Sequence, residues 1–273
     1  LDSNHIKDSK GIVRTRSGLP IRGGTTGTIV VVIFGVDGKY CVTANVGDSD
    51  AILFPARAAS SDDHQSWDHL SVDHGPDRES EFRRVLLLPD SLYPIKLMFV
   101  YDQADLINRS DGALVFLKDG TKDPKYVKRP WKNGLRPHNF RYEPAVYAVT
   151  PASVDTDATA IAVTRSLGDF AAHQYGLSHE PDVSLQHLDS NTNQTIVIGT
   201  DGVWDCWKFE DFADLVREYN DQNVSIEHFT EQILEKTIER ALSSFGQAKY
   251  DDASLVTIRV GVQSMNSGRV SRS

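Results

Sequence analysis

Two aspartates close an apolar run near residue 200 and could bind a divalent cation. Residues 195–200 open with a short β-branched apolar run, which predicts a buried strand, and the strand stops at the dipeptide Asp201-Gly202. Asp205 follows four residues after Asp201, just before a helical pattern begins. Carboxylates held at the end of a strand suit a hard cation such as Mg²⁺, which takes oxygen ligands and keeps some of its water. A solvated Asp-Gly turn is the alternative interpretation.

Other aspartates stand at the ends of further predicted strands. Asp251 precedes the strand predicted at 254–260, and Asp73 follows a brief strand predicted at 70–72. In an antiparallel pair, the end of one strand lies beside the start of the other. If the two longer strands pair in this way, Asp201 and Asp251 are expected at the same edge of the sheet.

A group of carboxylates in one pocket implies a bound cation, because the negative charges otherwise repel one another. Gly-Asp turns at Asp48 and Asp169 could enlarge the group. An all-oxygen set of donors favours Mg²⁺ or Mn²⁺ over Zn²⁺, which prefers His and Cys. Two such ions could activate a water and clamp a phosphoryl group, so the pattern favours metal-assisted hydrolysis of a phosphate ester. Aspartates that only form turns remain the alternative.

Other catalytic chemistries lack their characteristic residues. Cys206 is not followed by the spaced Arg of a cysteine-type phosphate loop, and no Gly-x-Ser-x-Gly elbow occurs. The Gly-rich residues 24–28 precede their strand and contain no Lys, unlike a P-loop. His74 beside Asp73 could act as a base, but it is interpreted as an inert residue of a surface loop, as a lone histidine there usually is.

The composition is that of an acidic globular protein. The chain has 273 residues and a formal net charge of −9, which argues against nucleic acid as a partner. Its two Cys form neither a disulfide framework nor a Cys-x-x-Cys site, which suits a reducing compartment. No apolar run approaches the length of a membrane span, and the first residues lack the apolar core of a signal peptide. An intracellular, cytoplasmic location is therefore expected.

The order of the predicted elements indicates an α+β fold with antiparallel sheets and helices packed outside them. Apolar runs joined by short turns predict a meander over residues 29–54, and the run 29–34 is expected to be fully buried. Amphipathic helices are expected at 209–219 and 225–245. Residues 88–158 hold seven prolines and few strand patterns, which indicates a flap, an insertion or a small subdomain.

Taken in order, the motifs of this chain resemble those of the metal-dependent protein serine/threonine phosphatases of type 2C, the PPM family. The resemblance covers most of residues 24–260. The matching segments are Gly24-Thr-Thr-Gly27, Ala44-Asn-Val-Gly-Asp-Ser49, Asp73-His-Gly-Pro76, Ala162-Val-Thr-Arg-Ser-Leu-Gly-Asp-Phe170, Glu180-Pro-Asp-Val183, Thr200-Asp-Gly-Val-Trp-Asp205 and Asp251-Asp-Ala-Ser254.

The resemblance implies a four-layer α-β-β-α sandwich, with two antiparallel sheets flanked by helices. It implies one domain over residues 1–273 that lacks the family's N-terminal portion, with an enlarged flap at about 88–158. Hydrolysis of phosphoserine and phosphothreonine in proteins is the implied reaction. A metal-bound water is its expected nucleophile, so no side chain forms a covalent intermediate.

The same resemblance implies two Mn²⁺ or Mg²⁺ ions, with a third possible. By position, Asp201 and Asp251 match metal ligands of the family. Asp73 and Asp205 match carboxylates that hold a third, weaker ion in some members. No residue of this chain is assigned to substrate binding.

Several family features are absent from the sequence. The early Asp-Gly-His-Gly-Gly motif, which supplies the ligand that bridges both metals, does not occur, and neither does the early Arg that holds the substrate phosphate. Asp50 stands where the family usually has Arg, and Asp252 where it usually has Asn. Three interpretations stay open: the later part of an active phosphatase, a sandwich completed by a partner chain, or an inactive pseudophosphatase that acts as a binding or scaffolding module.

Overall fold

Strands dominate the first two thirds of the chain, and the long helices come near its end. The computed structural model describes residues 5–7, 13–18, 21, 23–55, 67–101, 113–127, 129–130, 142–143, 145–152, 158–245 and 251–261. The strands are β1 (His5–Lys7), β2 (Val13–Thr15), β3 (Gly24–Thr25), β4 (Gly27–Phe34), β5 (Lys39–Val46), β6 (Asp50–Pro55), β7 (Asp68–His69), β8 (Met98–Tyr101), β9 (Ala113–Leu114), β10 (Arg129–Pro130), β11 (Tyr142–Glu143), β12 (Val146–Val149), β13 (Ala160–Ile161), β14 (Leu167–Gly168), β15 (Asp182–Leu188), β16 (Gln194–Gly199) and β17 (Leu255–Val260). The helices are α1 (Glu79–Leu86), α2 (Phe170–His173), α3 (Asp201–Trp204), α4 (Phe209–Asp221) and α5 (Ile226–Phe245).

One four-stranded antiparallel sheet has the order β17-β16-β6-β7 and carries the two long helices on its outer face. Its central strand β16 is buried over most of its length, as its β-branched sequence predicts. The apolar stripes of α4 and α5 pack on this sheet through an aromatic cluster. The ring centroids of Phe54 and Phe212 lie 5.1 Å apart, and those of Trp204 and Phe212 lie 5.3 Å apart. This packing fixes the position of α3, which connects β16 to α4.

A three-stranded antiparallel sheet, β15-β5-β4, packs its inner face on the first sheet. Cys41 of β5 meets Leu53 of β6 and Ile196 of β16 in the shared core. The two sheets and their helices confirm the predicted α+β class. In the part of the chain that the structure describes, no helix is long and apolar enough to cross a membrane.

The outer face of this second sheet is apolar and exposed. On β4, Ile29 is 65% exposed and Val31 is 48% exposed, and Leu185 on β15 is 69% exposed. The register places Val31 and Leu185 on either side of Val42, so the three side chains form one row across the sheet. The prediction that residues 29–34 are fully buried is therefore wrong. Strand residues point alternately to the two faces, and no described element covers the outer one.

A smaller sheet, β13-β12-β8-β9, packs against α1 and accounts for part of the proline-rich region. The rings of Phe82 and Phe116 stack at 4.5 Å, and Phe99 meets both of them. The aromatic residues here form a local core, as expected for an inserted subdomain. Much of the region predicted as a flap, including residues 102–112 and 131–141, lies outside the described residues, so the flap stays a prediction.

A buried ion network joins this smaller sheet to the sandwich. Glu81 of α1 accepts hydrogen bonds from Arg165 at 2.6 Å and from Arg84 at 2.8 Å, and its side chain is only 2% exposed. Arg165 also donates to Asp182 of β15 at 2.8 Å. Burial alone would raise the pKa of Glu81, but the hydrogen bond from Arg165, the nearby Arg84 and the hydroxyl of Thr164 lower this pKa to about 2. The carboxylate therefore stabilises the fold in its charged form.

Glu81→Gln tests this network. The pKa of Glu81 lies about 2 units below that of a free glutamate, so we expect the variant to lose about 3 kcal/mol of unfolding free energy at neutral pH. A lowered pKa means that the contribution is complete above about pH 4.3 and disappears as the pH falls toward 2. Urea unfolding at several pH values measures both effects.

Glu79→Gln on the same helix is the matched control. Glu79 pairs with Arg83, but both side chains are more than half exposed, so we expect a change of about 0.5 kcal/mol or less. Equal losses in the two variants, or a loss in Glu81→Gln that does not depend on pH, would contradict the assignment.

Candidate metal centre

Three strand ends meet at one edge of the four-stranded sheet. Gly199, the last residue of β16, pairs with Asp50 at the start of β6 and with Leu255 at the start of β17. Asp201 follows β16 by two residues, and Asp251 precedes β17 by four. The antiparallel register thus brings these two predicted metal ligands to the same edge of the sheet.

Asp201 begins α3, and close backbone packing holds it there. The amide of Gly202 donates to Oδ1 of Asp201 at 2.8 Å, and the amide of Thr200 donates to the carbonyl of Ser254 at 3.1 Å. A Cβ atom on Gly202 would lie 2.3 Å from the carbonyl oxygen of Asp252, so only glycine allows this approach. The segments that carry Asp201 and Asp251 are therefore in direct contact.

Asp205 lies one helical turn beyond Asp201. Its amide donates to the carbonyl of Asp201 at 2.7 Å, at the C-terminal end of α3. Between the two aspartates, Trp204 is buried and donates its Nε1–H to the carbonyl of Asp50 at 3.1 Å. This buried indole anchors α3 to β6, which leaves Asp201 exposed and Asp205 partly exposed at the same edge.

Asp73 approaches this edge on the loop after β7, which is tied to the turn between β5 and β6. The amide of Gly47 donates to Nδ1 of His74 at 3.0 Å, and the amide of His74 donates to the carbonyl of Gly47 at 3.1 Å. Asp48 follows Gly47 and Asp73 precedes His74, and Gly47 and His74 are hydrogen-bonded to each other. The predicted ligand Asp73 is brought to the group by this link.

Asp48, whose Gly-Asp turn was expected to enlarge the group of carboxylates, lies close to Asp73 and Asp201. Burial, then the charges of Asp201 and Asp73, and finally that of Asp50, raise the pKa of Asp48 to about 7. Only carboxylates that lie close together act on one another in this way. The signal in the sequence is its position: Asp48 stands two residues before β6, whose first residue pairs with the last residue of β16.

His74 is fully buried, so its interpretation as a residue of a surface loop is wrong. Its Nδ1 accepts from Gly47, so Nε2 carries the proton and donates to Asp182 at 3.1 Å. Burial, and then the nearby charge of Arg165, lower the pKa of His74. The neutral ring connects the Gly47 turn to the network of Arg165 and Asp182, and so fixes the loop that carries Asp73.

Two other acidic residues have specific partners. Asp50, which stands where the family usually has Arg, is buried and accepts a hydrogen bond from Ser71 Oγ at 3.0 Å. Asp169 accepts from Ser166 Oγ at 2.8 Å, and its amide donates to the carbonyl of Gly23 at 2.9 Å. Asp50 therefore adds negative charge beside Asp48, while Asp169 secures the β3–β14 pair.

The acidic group fits a hard divalent cation in the type and the charge of its donors. It does not form a closed set, because among the described residues no three His, Cys, Asp or Glu side chains converge on one point. The thiols of Cys41 and Cys206 are buried in the core and are not part of this edge. The metal-binding atoms that the acidic group offers are therefore carboxylate oxygens. The structure thus shows an acidic edge whose donors are carboxylate oxygens.

Comparisons with known proteins agree on one family. The profile of the family described as protein phosphatase 2C matches residues 2–90 and 153–244. A probable protein phosphatase 2C 35 of Arabidopsis thaliana is 29% identical over 205 residues, which are 72% of this chain and 46% of the relative. A probable protein phosphatase 2C 41 of the same plant is 25% identical over 72% of this chain and 42% of the relative. The chain thus spans less than half the length of these two relatives.

A solved structure shows the same fold. The serine-threonine phosphatase 2C from Toxoplasma gondii superimposes with a TM-score of 0.52 at 16% identity, over 85% of this chain and 57% of the other. At this identity the likeness concerns the fold alone. The profile match covers well over half of the residues and includes the segments that carry Asp48, Asp73, Asp201 and Asp205. The chain belongs to the protein phosphatase 2C family.

Proposed function

We propose that this chain takes part in the metal-dependent hydrolysis of phosphoserine and phosphothreonine in proteins. The observation that supports this most is the gathering of Asp48, Asp73 and Asp201 at one sheet edge, where burial, and then the charges of Asp201 and Asp73, raise the pKa of Asp48 to about 7. Such a group costs free energy unless a cation neutralises it. The names of the relatives, which are probable protein phosphatases, support the same reaction.

In this proposal Asp201 and Asp251 hold Mn²⁺ or Mg²⁺ at two positions, and Asp73 and Asp205 serve a third. A bound ion supplies Lewis acidity and a water of low pKa, which is the chemistry that phosphate-ester hydrolysis needs. The chain's own contribution is to hold the carboxylates in fixed places. Gly202 and Trp204 do this for Asp201, and His74 does it for Asp73.

Arg78 is suited to meet the phosphate of the substrate. It lies at the start of α1, its side chain is half exposed, and its guanidinium is 3.4 Å from the carboxylate of Asp73. The family's early Arg does not occur in this sequence, and a guanidinium is the side chain that best matches a phosphate. We assign Arg78 to attraction of the phosphate toward the acidic edge.

A pseudophosphatase is the second candidate. The observation that favours it is that the described carboxylates do not close around a single point. Asp50 adds a further negative charge where the family usually has a positive one. In that case the chain would serve as a binding or scaffolding module, with its proposed flap at about 88–158 as the surface for a partner.

The substrate and the location belong to the same proposal. The substrate is a phosphoprotein, with the proposed flap contributing to its choice and with a partner chain or a further segment covering the outer sheet face. Both cysteines are buried free thiols, which supports an intracellular, cytoplasmic location.

Asp201→Asn tests the metal assignment. We expect the variant to keep its fold and to lose Mn²⁺-dependent hydrolysis of p-nitrophenyl phosphate and of a phosphothreonine peptide, because the amide replaces a charged ligand. Asp189→Asn is the control, since Asp189 is an exposed turn residue before the other end of β16. Full activity of Asp201→Asn would reject the assignment, and a wild-type protein without Mn²⁺ uptake would favour the pseudophosphatase.

Asp48→Asn tests the charge repulsion in protein treated with a chelator. A carboxylate with a raised pKa binds a proton more tightly in the folded state, so the stability of the wild type falls as the pH rises from about 4 to 7. We expect the variant to be more stable than the wild type at pH 8 by up to about 4 kcal/mol, and to match it near pH 4. Thermal unfolding across this range measures the difference.

Two comparisons complete the Asp48 experiment. Mn²⁺ is expected to raise the melting temperature of the wild type more than that of Asp48→Asn, because the ion relieves a repulsion that the variant no longer has. Asp221→Asn, at the exposed end of α4, is expected to show neither effect. A variant that is less stable than the wild type at pH 8 would contradict the proposed crowding of charge.

Arg78→Ala tests the phosphate contact. We expect KM for the phosphothreonine peptide to rise about tenfold with little change in kcat, because one charge-assisted hydrogen bond is lost. Arg83→Ala, on the same helix and paired with Glu79, is the control and is expected to leave KM unchanged. Equal KM values in the two variants would remove Arg78 from the site.

A further inference from the structure

Two histidines outside the acidic edge, His173 and His179, face each other, each through its own Nδ1 atom. His173 ends α2, and His179 lies on the segment that leads into β15. Their Nδ1 atoms are 3.4 Å apart, and the ring centroids are 5.3 Å apart at an interplanar angle of 32°. Neither residue belongs to a segment to which the family resemblance or the proposed function gives a role.

The tautomer of His173 is set by the backbone. Its Nε2 lies 2.7 Å from the carbonyl oxygen of Gly168, which accepts a hydrogen bond and so requires the proton on Nε2. Nδ1 therefore presents its lone pair toward His179. A ring N–H that donates to a backbone carbonyl is the usual way in which a protein orients a metal-binding imidazole.

The separation of the two nitrogens matches a tetrahedral ion. Zinc binds imidazole nitrogen at about 2.0–2.1 Å, so two ligands at the tetrahedral angle stand about 3.4 Å apart. The first cause acting on the pKa of His173 is burial, which lowers it and keeps the ring neutral; the neighbouring His179 lowers it further. A neutral imidazole is the form that binds a metal.

The backbones that carry both rings are held independently of any ion. The amide of Gly176 donates to the carbonyl of His173 at 3.1 Å. On the other side, Ser178 exchanges backbone hydrogen bonds with Thr164 and Ser166, and the carbonyl of Glu180 accepts from Arg165 at 3.0 Å. The backbone positions of the two histidines are therefore set in advance, which reduces the ordering cost of binding.

We propose that His173 and His179 form a site for a borderline transition-metal ion, of which Zn²⁺ is the best fit. Imidazole donors suit Zn²⁺, Ni²⁺ and Cu²⁺ and do not suit Mg²⁺, so the site is chemically separate from the acidic edge. Within the described residues no third His, Cys, Asp or Glu completes the set, so water fills the remaining positions. The bound ion joins α2 to the segment before β15.

This junction braces a strained turn. Asp169 adopts the left-handed conformation, with φ of 45°, and Gly168 has φ of 125°. A Cβ atom on Gly168 would lie 2.7 Å from the carbonyl oxygen of Gly23, so the turn is packed closely against the Gly-rich segment. The carbonyl of Gly168 is the acceptor for His173, and an ion on Nδ1 strengthens this hydrogen bond by polarising the ring.

A zinc titration of the natural polypeptide in excess Mg²⁺ tests the proposal. Mg²⁺ occupies carboxylate sites, so binding measured against a competing zinc chelator reports imidazole sites. We expect one ion per chain in the wild type, an affinity at least about tenfold lower in His179→Gln and in His173→Gln, and a rise in melting temperature of about 2–4 °C in the wild type only. The ¹⁵N shifts of the histidine rings identify the ligating atom, which is expected to be Nδ1 in both residues.

Two controls make the outcome decisive. His187→Gln removes an exposed histidine that packs on Tyr40 and is expected to bind Zn²⁺ as the wild type does. Asp201→Asn, which alters the acidic edge, is also expected to retain the ion. No uptake by the wild type, or unchanged affinity in His179→Gln, would overturn the proposal and leave the contact of the two rings as an N–H···N hydrogen bond.

Discussion

The buried guanidinium of Arg165 is the interaction on which the geometry of this protein depends most. It joins Glu81 of α1 to Asp182 of β15, and Asp182 in turn accepts a hydrogen bond from Nε2 of His74. The loop that holds Asp73 is thereby tied to both the sandwich and the smaller sheet. A buried ion pair adds little net stability compared with apolar packing, but it requires one arrangement of its partners. Here it specifies where the acidic loop lies.

The carboxylates around Arg165 and those at the acidic sheet edge have opposite electrostatic surroundings. Around Arg165 each carboxylate has a cationic or hydrogen-bonding partner, so the negative charge stabilises the fold. At the sheet edge burial, and then the charges of Asp201 and Asp73, raise the pKa of Asp48, while Arg78 lies 3.4 Å from the carboxylate of Asp73. The carboxylates paired with Arg165 support the acidic loop rigidly. The carboxylates at the sheet edge carry unfavourable negative charge that a cation can neutralise.

Much of the fold and part of the site could be predicted from the sequence, because they depend on local periodicity. The apolar periodicity predicted the bounds of β5, β16 and α4 to within one or two residues. The sequence analysis assumed that β16 pairs with β17, and the structure shows this pairing and its register. Burial could not be predicted in the same way. An apolar run shows that a strand has an apolar face but not whether another element covers it, which is why β4 differs from the expectation. The burial of His74 depends on contacts with residues far along the chain.

The uncovered face of the β15-β5-β4 sheet has a thermodynamic consequence. Side chains such as Ile29, Val31 and Leu185 meet water in the described fold, and each contributes its full hydrophobic free energy only when another surface covers it. Any molecule that covers the folded form alone shifts the folding equilibrium by mass action. If another molecule packs there, its concentration sets part of the stability of this sandwich, and folding and assembly become a single equilibrium.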